Sequence, residues 1–312
     1  MKRKNADKKW FSLSQVPLEE SLAKYLVIIL LSLGFIINNY IFVTHLSGQN
    51  FKTRIVQKSP SHVYRQTERI IAEINVLRKE RGVTVQPRDP GRQVRKTPLH
   101  VYAKSLEVLE KVSRMEKDNN ITPIDVPVIP LKKITPTDVH DSTKAILSEL
   151  RRIKTHLRIK ETISDPPFVG GKTPANVYEN MWRASYLMDG LVSKITPGMV
   201  FRNVQYMQRE LGFIAFHLKI ILKHRTSETA RNKVPEDVMI ENYVNMYKIA
   251  RIEKGLKMTP FYVPPLPGGK ITPANVFDTT SMVLAEMNRI KVHLGILKTR
   301  KPILIIEGKT PT

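Results

Sequence analysis

A proline recurs every 38 residues along most of this chain, and the residues around it recur as well. Pro60 begins a series of four, and Pro197 begins a second series of four that is offset from the first by 137 residues. All but one of these prolines follow Ser or Thr, Val234 being the exception, and a valine stands three residues after each of the first seven. The repeated positions are Pro60, Val63, Pro98, Val101, Pro136, Val139, Pro174, Val177, Pro197, Val200, Pro235, Val238, Pro273 and Val276, followed by Pro311. Such a period indicates one structural unit repeated along the chain.

Each unit has the pattern of an amphipathic helix. Ser or Thr before proline is typical of an N-cap followed by the first helical position, where a missing N–H costs nothing. After the proline, apolar or small residues recur in alternating steps of four and three, as in Val139, Thr143, Ile146, Leu150, Ile153 and Leu157. This spacing places them on one face of a helix. The predicted helices are 60–82, 98–117, 136–159, 174–193, 197–222, 235–256 and 273–298.

The stretch GGKTP at 170–174 superficially resembles the start of a phosphate-binding loop. A Walker loop requires a glycine five residues before Gly171, where this chain has Pro166, and a helical N–H where Pro174 has none. The stretch also recurs as GGKITP and EGKTP. We therefore interpret it as the end of a connection and the cap of the next helix.

The repeats predict an all-α fold made of two duplicated helical blocks. Most connections are about fifteen residues long and rich in proline, so they are extended and long enough for successive helices to run parallel. One junction, between Pro174 and Pro197, leaves only a turn and marks the seam of the duplication. The first block is 59–194 with four helices. The second is 195–312 with three helices and an extended segment, whose apolar run PILII we expect to pack against the bundle. A long coiled coil is the alternative, but the prolines limit each helix to about six turns.

The N-terminal region predicts a membrane anchor. Residues 25–43 contain no charged side chain. A helix of this length is nearly long enough to cross the hydrocarbon core of a membrane. We predict a basic cytoplasmic tail at 1–24, a transmembrane helix at 25–46 and a linker at 47–58. A cleaved signal peptide is the alternative, although no small-residue cleavage site follows. The positive-inside bias favours a cytoplasmic N-terminus and an extracytoplasmic C-terminal region at the inner membrane.

The formal net charge of +23, from 51 Lys and Arg against 28 Asp and Glu, predicts an anionic partner. The chain has no cysteine, which excludes disulfides and thiolate sites. Many basic residues lie late in the predicted helices or just beyond them, where a helix dipole favours cations. The candidate binding residues are Arg78, Lys79, Arg81, Arg151, Arg152, Lys154, Arg158, Lys219, Lys223, Arg225, Arg289, Lys291, Lys298, Arg300 and Lys301.

Two other sets of recurring residues have side chains that could carry chemistry. Carboxylates thirteen residues after the proline could form acid–base pairs, but we favour solvated charges or interhelical ion pairs; they are Glu73, Glu149, Glu210 and Glu286. Histidines twenty residues after the proline could bind a metal, but no carboxylate recurs beside them; they are His156, His217 and His293. His62 and His100 lie in first turns, where polar side chains bind free N–H groups.

The sequence contains no catalytic motif and no nucleotide fingerprint, so we predict no enzyme, no cofactor and no metal. The predicted function is a membrane-anchored helical scaffold or accessory subunit of the bacterial envelope that binds an acidic protein, an envelope polymer or anionic lipid. The alternative is a cytoplasmic domain that binds nucleic acid or the anionic inner leaflet. An enzyme assembled across helices is a third class, which the sequence does not support.

Overall fold

The computed structural model describes residues 57–86, 89, 91–221, 232–298, 303, 305 and 308. Residues from 57 onward form one compact unit, and the part described contains seven α-helices and no strand. The predicted all-helical fold is thereby confirmed for these residues. The predicted tail, anchor and nearly all of the linker lie outside them. None of the helices in the described part is long and apolar enough to span a membrane.

All seven helices begin at the predicted prolines. The helices are α1 (Pro60–Glu80), α2 (Pro98–Asp118), α3 (Pro136–His156), α4 (Pro174–Met188), α5 (Pro197–His217), α6 (Pro235–Gly255) and α7 (Pro273–His293). The predicted Ser and Thr caps are confirmed, because residue 59 and its counterparts have extended backbone just before each helix. At α3, Thr135 accepts from the N–H of Asp138, and Asp138 accepts from the N–H of Thr135 at 2.8 Å. His62 and His100 accept the cap N–H in the same way, as expected.

Four of the helices end several residues earlier than predicted. The predicted ends at 159, 193, 222 and 298 are wrong, since α3 ends at His156, α4 at Met188, α5 at His217 and α7 at His293. Every helix except α4 has a residue with positive φ two positions after its last residue; these residues are Gly82, Asn120, Arg158, Lys219, Lys257 and Gly295. The next N–H then bonds to the carbonyl five residues earlier, as Ile159 does to Lys154 at 3.0 Å. This Schellman ending turns the chain. The apolar residue that follows packs against the core in every case but one; these residues are Val83, Ile121, Ile159, Met258 and Ile296, whereas Ile220 is exposed.

The first four helices form a parallel bundle. Helix α1 packs against α3 and α4, and α2 packs against the same two, whereas chain neighbours α1 and α2 do not pack in the described structure. The first turns of all four helices meet around one small space lined by their repeated prolines and valines. At the other end, Lys79 contacts Glu161 beyond the end of α3 at 2.8 Å. The long connections therefore return the chain along each helix, and the expectation that successive helices can run parallel is confirmed.

The second bundle repeats this plan with α5, α6 and α7. Helix α7 packs against both α5 and α6, in the way that α3 packs against α1 and α2. The short α4–α5 turn reverses the chain direction, so the second bundle runs antiparallel to the first. At their contact His100, near the start of α2, meets Glu286, late in α7. Of the apolar run PILII, Ile303 donates its N–H to the Tyr206 hydroxyl on α5 at 2.9 Å.

Candidate functional site

Two of the repeated carboxylates, Glu73 and Glu210, lie inside the bundles and are paired with lysines. Lys154 Nζ lies 2.6 Å from Glu73 and also donates to the carbonyl of Glu161. Lys291 Nζ lies 2.6 Å from Glu210 and donates to the carbonyl of Lys298. These three residues stand 137 positions after Lys154, Glu73 and Glu161, so the second bundle repeats the arrangement of the first. Glu73 and Glu210 are buried, so the solvated alternative is wrong for them and the interhelical ion pair is correct. Each lysine fastens the chain that follows its helix.

A second repeated cluster joins two carboxyl groups through an arginine. Arg289 contacts Glu253 on α6 and Glu286 on its own helix, and Glu253 accepts the N–H of Phe261 at 2.8 Å. Arg152 makes the counterpart contacts with Glu116 and Glu149 in the first bundle. These carboxyl pairs come from different helices, but each is tied to its arginine and to a connecting segment. They hold the fold together.

The electrostatics of the second cluster favour one shared proton. Burial and the hydrogen bond and charge of Glu286 raise the pKa of Glu253 to about 8. Burial opposes ionisation of Glu286 too, but the hydrogen bond of His100 and the charge of Arg289 lower its pKa to about 2. Glu253 is therefore protonated near neutral pH and donates to ionised Glu286. His100 Nδ1 accepts the N–H of Thr97, which leaves its Nε2–H to face Glu286 at 2.5 Å.

A buried polar cluster connects the two bundles. Lys104 on α2 donates to Asp278 on α7 at 2.6 Å and to Glu107 at 2.7 Å. Trp182 Nε1 on α4 donates to the other oxygen of Asp278 at 3.0 Å. Burial and the charge of Glu107 raise the pKa of Asp278 to about 7. Although burial lowers the pKa of Lys104, the charges of Asp278 and Glu107 raise it well above its usual value.

A cleft of about 530 Å³ lies beside this cluster. Its walls include Trp182 and Tyr186 of α4, Tyr262 and the nearby prolines, and Lys96. Burial and the charge of Lys104 lower the pKa of Lys96 to about 8. Lys96 Nζ lies 4.7 Å from the centre of the Tyr178 ring, which keeps the ammonium over an aromatic face.

The lysines that precede the caps have a role that the sequence patterns did not predict. Lys96 lies over Tyr178, and Lys172 lies over Tyr64 at 4.3 Å, so the lysine before one helix covers the aromatic residue that follows the repeated valine of another. A signal was present, because a lysine stands two or three residues before each repeated proline. The lysines are Lys58, Lys96, Lys133, Lys172, Lys194, Lys233, Lys270 and Lys309.

The structure divides the predicted anion-binding residues into three groups. Arg78, Lys154 and Lys291 are buried, which contradicts their place on a binding surface; Arg78 donates to the carbonyl of Leu187 at 2.7 Å. Arg152 and Arg289 are bound in the carboxyl clusters described above. Lys79, Arg81, Arg151, Arg158, Lys219 and Lys298 are exposed. Lys223, Arg225, Arg300 and Lys301 lie outside the described residues.

Parallel packing brings four of the exposed cations to one end of the first bundle. Arg81 follows α1 and bonds Asn119 at the end of α2, while Lys79 reaches Glu161 beyond α3. Arg151, on α3, lies 3.5 Å from Glu73 with 59% of its side chain exposed. Arg158 lies just beyond the end of α3. Residues that are far apart in the sequence thus form one surface, which we call the cationic end: Lys79, Arg81, Arg151 and Arg158.

The three histidines considered as metal ligands are the last residues of α3, α5 and α7, and all are exposed. In the described ranges, no three His, Asp or Glu side chains are arranged to hold a metal ion.

The chain was compared with protein-family models, with characterised proteins and with solved structures, and none of them matches it.

Proposed function

We propose that this chain is a non-enzymatic helical scaffold, tethered to the inner membrane by residues 25–46, that binds an anionic partner or subunit in the bacterial envelope. The observation that carries the proposal is the cationic end. Its guanidinium groups and ammonium group share one end of the first bundle because α1 to α4 run parallel. The buried ion pairs account for many of the basic residues of the chain, but the four basic side chains of the cationic end remain exposed to solvent.

Two features support a scaffold over an enzyme. The carboxylates that could serve as acids or bases are bound to Lys154, Lys291, Arg152 and Arg289 and fasten connecting segments. The bundles are also joined by a buried polar cluster rather than by an open hinge. Such a body presents fixed surfaces to partners.

The experiment compares two double charge reversals in the purified full chain. Arg151→Glu with Arg158→Glu changes the cationic end, and Lys133→Glu with Lys144→Glu makes the same charge change at exposed positions nearer the start of α3. Each is tested for co-sedimentation with vesicles containing anionic lipid, with acidic envelope polymer and with duplex DNA. Since each basic residue near an anionic surface contributes about 1 kcal/mol, the first variant should lose at least about tenfold in affinity.

Equal loss in both variants would mean that net charge, and not the cationic end, governs binding, and the proposal would fail. Preference for DNA with a steep salt dependence would favour the cytoplasmic alternative. Protease added to spheroplasts tests topology, because a C-terminal region that stays intact while a periplasmic control is degraded would contradict the envelope placement.

A further inference from the structure

The helices of the second bundle end in apolar side chains that are exposed to water. Ile221, Phe216 and Leu297 are 89%, 87% and 81% exposed, which makes them the three most exposed of the large apolar residues that the structure describes. The residues 137 positions earlier, in the first bundle, are exposed and polar: Thr84, Lys79 and Lys160. The repeated fold therefore does not require apolar residues here. Apolar side chains that a fold leaves in water indicate an interaction surface.

These side chains lie at one end of the bundle. Phe216 and Ile221 lie at and beyond the end of α5, and Leu297 follows the end of α7. Helices α5 and α7 pack in parallel, because early residues of one bond early residues of the other, and late residues do the same. Lys298 Nζ lies 4.8 Å from the centre of the Phe213 ring, so the segment after α7 reaches α5. We call this end the apolar end; its residues are Phe216, Ile220, Ile221 and Leu297.

The exposed charges around the apolar end have one sign. Exposed lysines lie in the last turns or just beyond the three helices: Lys219, Lys254, Lys257 and Lys298. Within 214–221, 251–258 and 289–298 the one carboxyl group is Glu253, which is buried and bound to Arg289. The exposed Glu80 and Glu161 of the first bundle have no acidic counterpart here. An apolar surface surrounded by positive charge suits the interface of an anionic bilayer.

The proposed tether joins the bundles on the same side. The predicted linker 47–58 ends just before α1 begins, and a tether of this length spans at most about 40 Å. Helix α5 runs opposite to α2, because Arg202, early in α5, pairs with Glu110, past the middle of α2, at 2.6 Å. Arg114, closer to the end of α2, bonds the carbonyl of Ser193, just before α5. The end of α5 therefore lies on the side where α1 to α4 begin.

We propose that the apolar end inserts Phe216, Ile221 and Leu297 into the interface of an anionic phospholipid bilayer, with the surrounding lysines on the lipid phosphates. The bundles would then contact the membrane directly, in addition to the anchor, and the cationic end would face away from it. The inference rests on the tether of the proposed function, and it uses a surface other than the cationic end.

The test uses the full chain reconstituted into vesicles with and without anionic lipid, in which some acyl chains carry a nitroxide quencher. The chain has no cysteine, so Ile221→Cys supplies a single thiol for a fluorescent probe. We expect the nitroxide to quench this probe in anionic vesicles and less in zwitterionic ones, because lysines bind anionic headgroups. Val85→Cys is the control, because Val85 is 74% exposed beyond the end of α1, on the opposite side, and its probe should stay unquenched.

A second variant tests the apolar contact itself. Leu297→Asp in the chain labelled at residue 221 should weaken docking at least about tenfold, since a leucine side chain no longer enters the lipid. Because Leu297 is exposed, the thermal midpoint should not change. An unquenched probe at residue 221, equal quenching at residues 221 and 85, equal quenching without anionic lipid, or quenching that Leu297→Asp leaves unchanged would overturn the inference.

Flotation separates this inference from the proposed function. A chain that does not float with zwitterionic vesicles at high salt would contradict the tether, while quenching by anionic vesicles would still decide whether the apolar end docks. A chain that floats but keeps an unquenched probe at residue 221 would retain the tether and refute the docking. Neither outcome affects the charge-reversal test of the cationic end.

Discussion

Lys291 Nζ lies 2.6 Å from Glu210 Oε2 inside the second bundle, and Lys154 stands in the same relation to Glu73 in the first. Glu210→Gln would leave the ammonium of Lys291 buried without its counter-ion. We expect this change to lower the free energy of unfolding by about 3 kcal/mol, measured by urea denaturation. The double change Glu210→Leu with Lys291→Met should come within about 1 kcal/mol of the unmodified chain, because both charges are removed together.

The exposed pair of Lys79 and Glu161 provides the comparison. Lys79→Met should hardly change the denaturation midpoint, because solvent screens this pair. If Glu210→Gln proved as mild as Lys79→Met, the buried pair would not have the structural role assigned to it.

Gly190 lies at the α4–α5 turn and has no room for a side chain. A Cβ there would lie 2.6 Å from Val83 Cγ1 and 2.9 Å from Arg78 Nη1, which itself bonds the carbonyl of Leu187. Gly190→Ala should therefore destabilise the protein by about 1–3 kcal/mol in thermal or urea unfolding.

Gly212, in α5, is the matched control because a Cβ there meets nothing within 4 Å. Gly212→Ala should stabilise by about 0.5–1 kcal/mol through helix propensity. If both substitutions changed the free energy of unfolding in the same direction, the close approach of Gly190 to Val83 and Arg78 would be contradicted.

The positive-φ residues that end the helices predict a set of stabilising changes. Arg158, Lys219 and Lys257 stand where Gly82 and Gly295 stand in other repeats. Because glycine tolerates this backbone region without a Cβ clash, each change to glycine should raise stability by about 0.5–1 kcal/mol. Gly82→Ala should lower it by a similar amount. Thermal midpoints of the four variants test the pattern, and a loss of stability with Lys257→Gly would contradict it.

The raised pKa of Glu253 predicts a dependence of stability on pH. The folded protein keeps a proton on Glu253 up to about pH 8, whereas the unfolded chain releases it near 4.5. Stability should therefore fall as pH rises through this window, since the folded state binds more protons there. Glu253→Gln should flatten the fall of the thermal midpoint, although Asp278, with a pKa of about 7, retains part of it.

Glu241→Gln is the control for this pH effect, because Glu241 is exposed on the same helix. It should leave the pH dependence unchanged. An unchanged slope in Glu253→Gln would mean that Glu253 does not hold the proton.

The sequence predicted where every helix begins, because the cap and the proline are local signals that need no tertiary contact. It predicted the ends of α3, α4, α5 and α7 wrongly. Most helices are followed by a positive-φ residue, and because Gly, Asn, Arg and Lys all fill that position, it has no single residue type as its signal. An apolar residue recurs directly after the positive-φ position, as Ile121 and Ile159 do, and this recurrence could have indicated where the helices end.

The candidate site was only partly predictable. Periodicity identified Glu73 and Glu210 and offered ion pairs as one interpretation. It could not show that Lys154 and Lys291 turn inward, because late basic residues suit a helix end whether they are buried or exposed. The contact of Lys104 with Asp278 spans the two bundles, and no repeat in the sequence signals it.

The parallel course of α1 to α4 also affects how the protein acquires its structure. Among the helices of the described ranges, α1 packs only on those that begin 76 and 114 positions further along the chain, and not on its immediate successor. The consecutive helices that do pack, α2 with α3 and α6 with α7, run parallel and are joined by the long connections 119–135 and 256–272, so the helices of the described part form no αα-hairpin as an early local step. This helical protein should consequently fold at rates more typical of sheet proteins than of up-and-down bundles, with a transition state organised by distant segments.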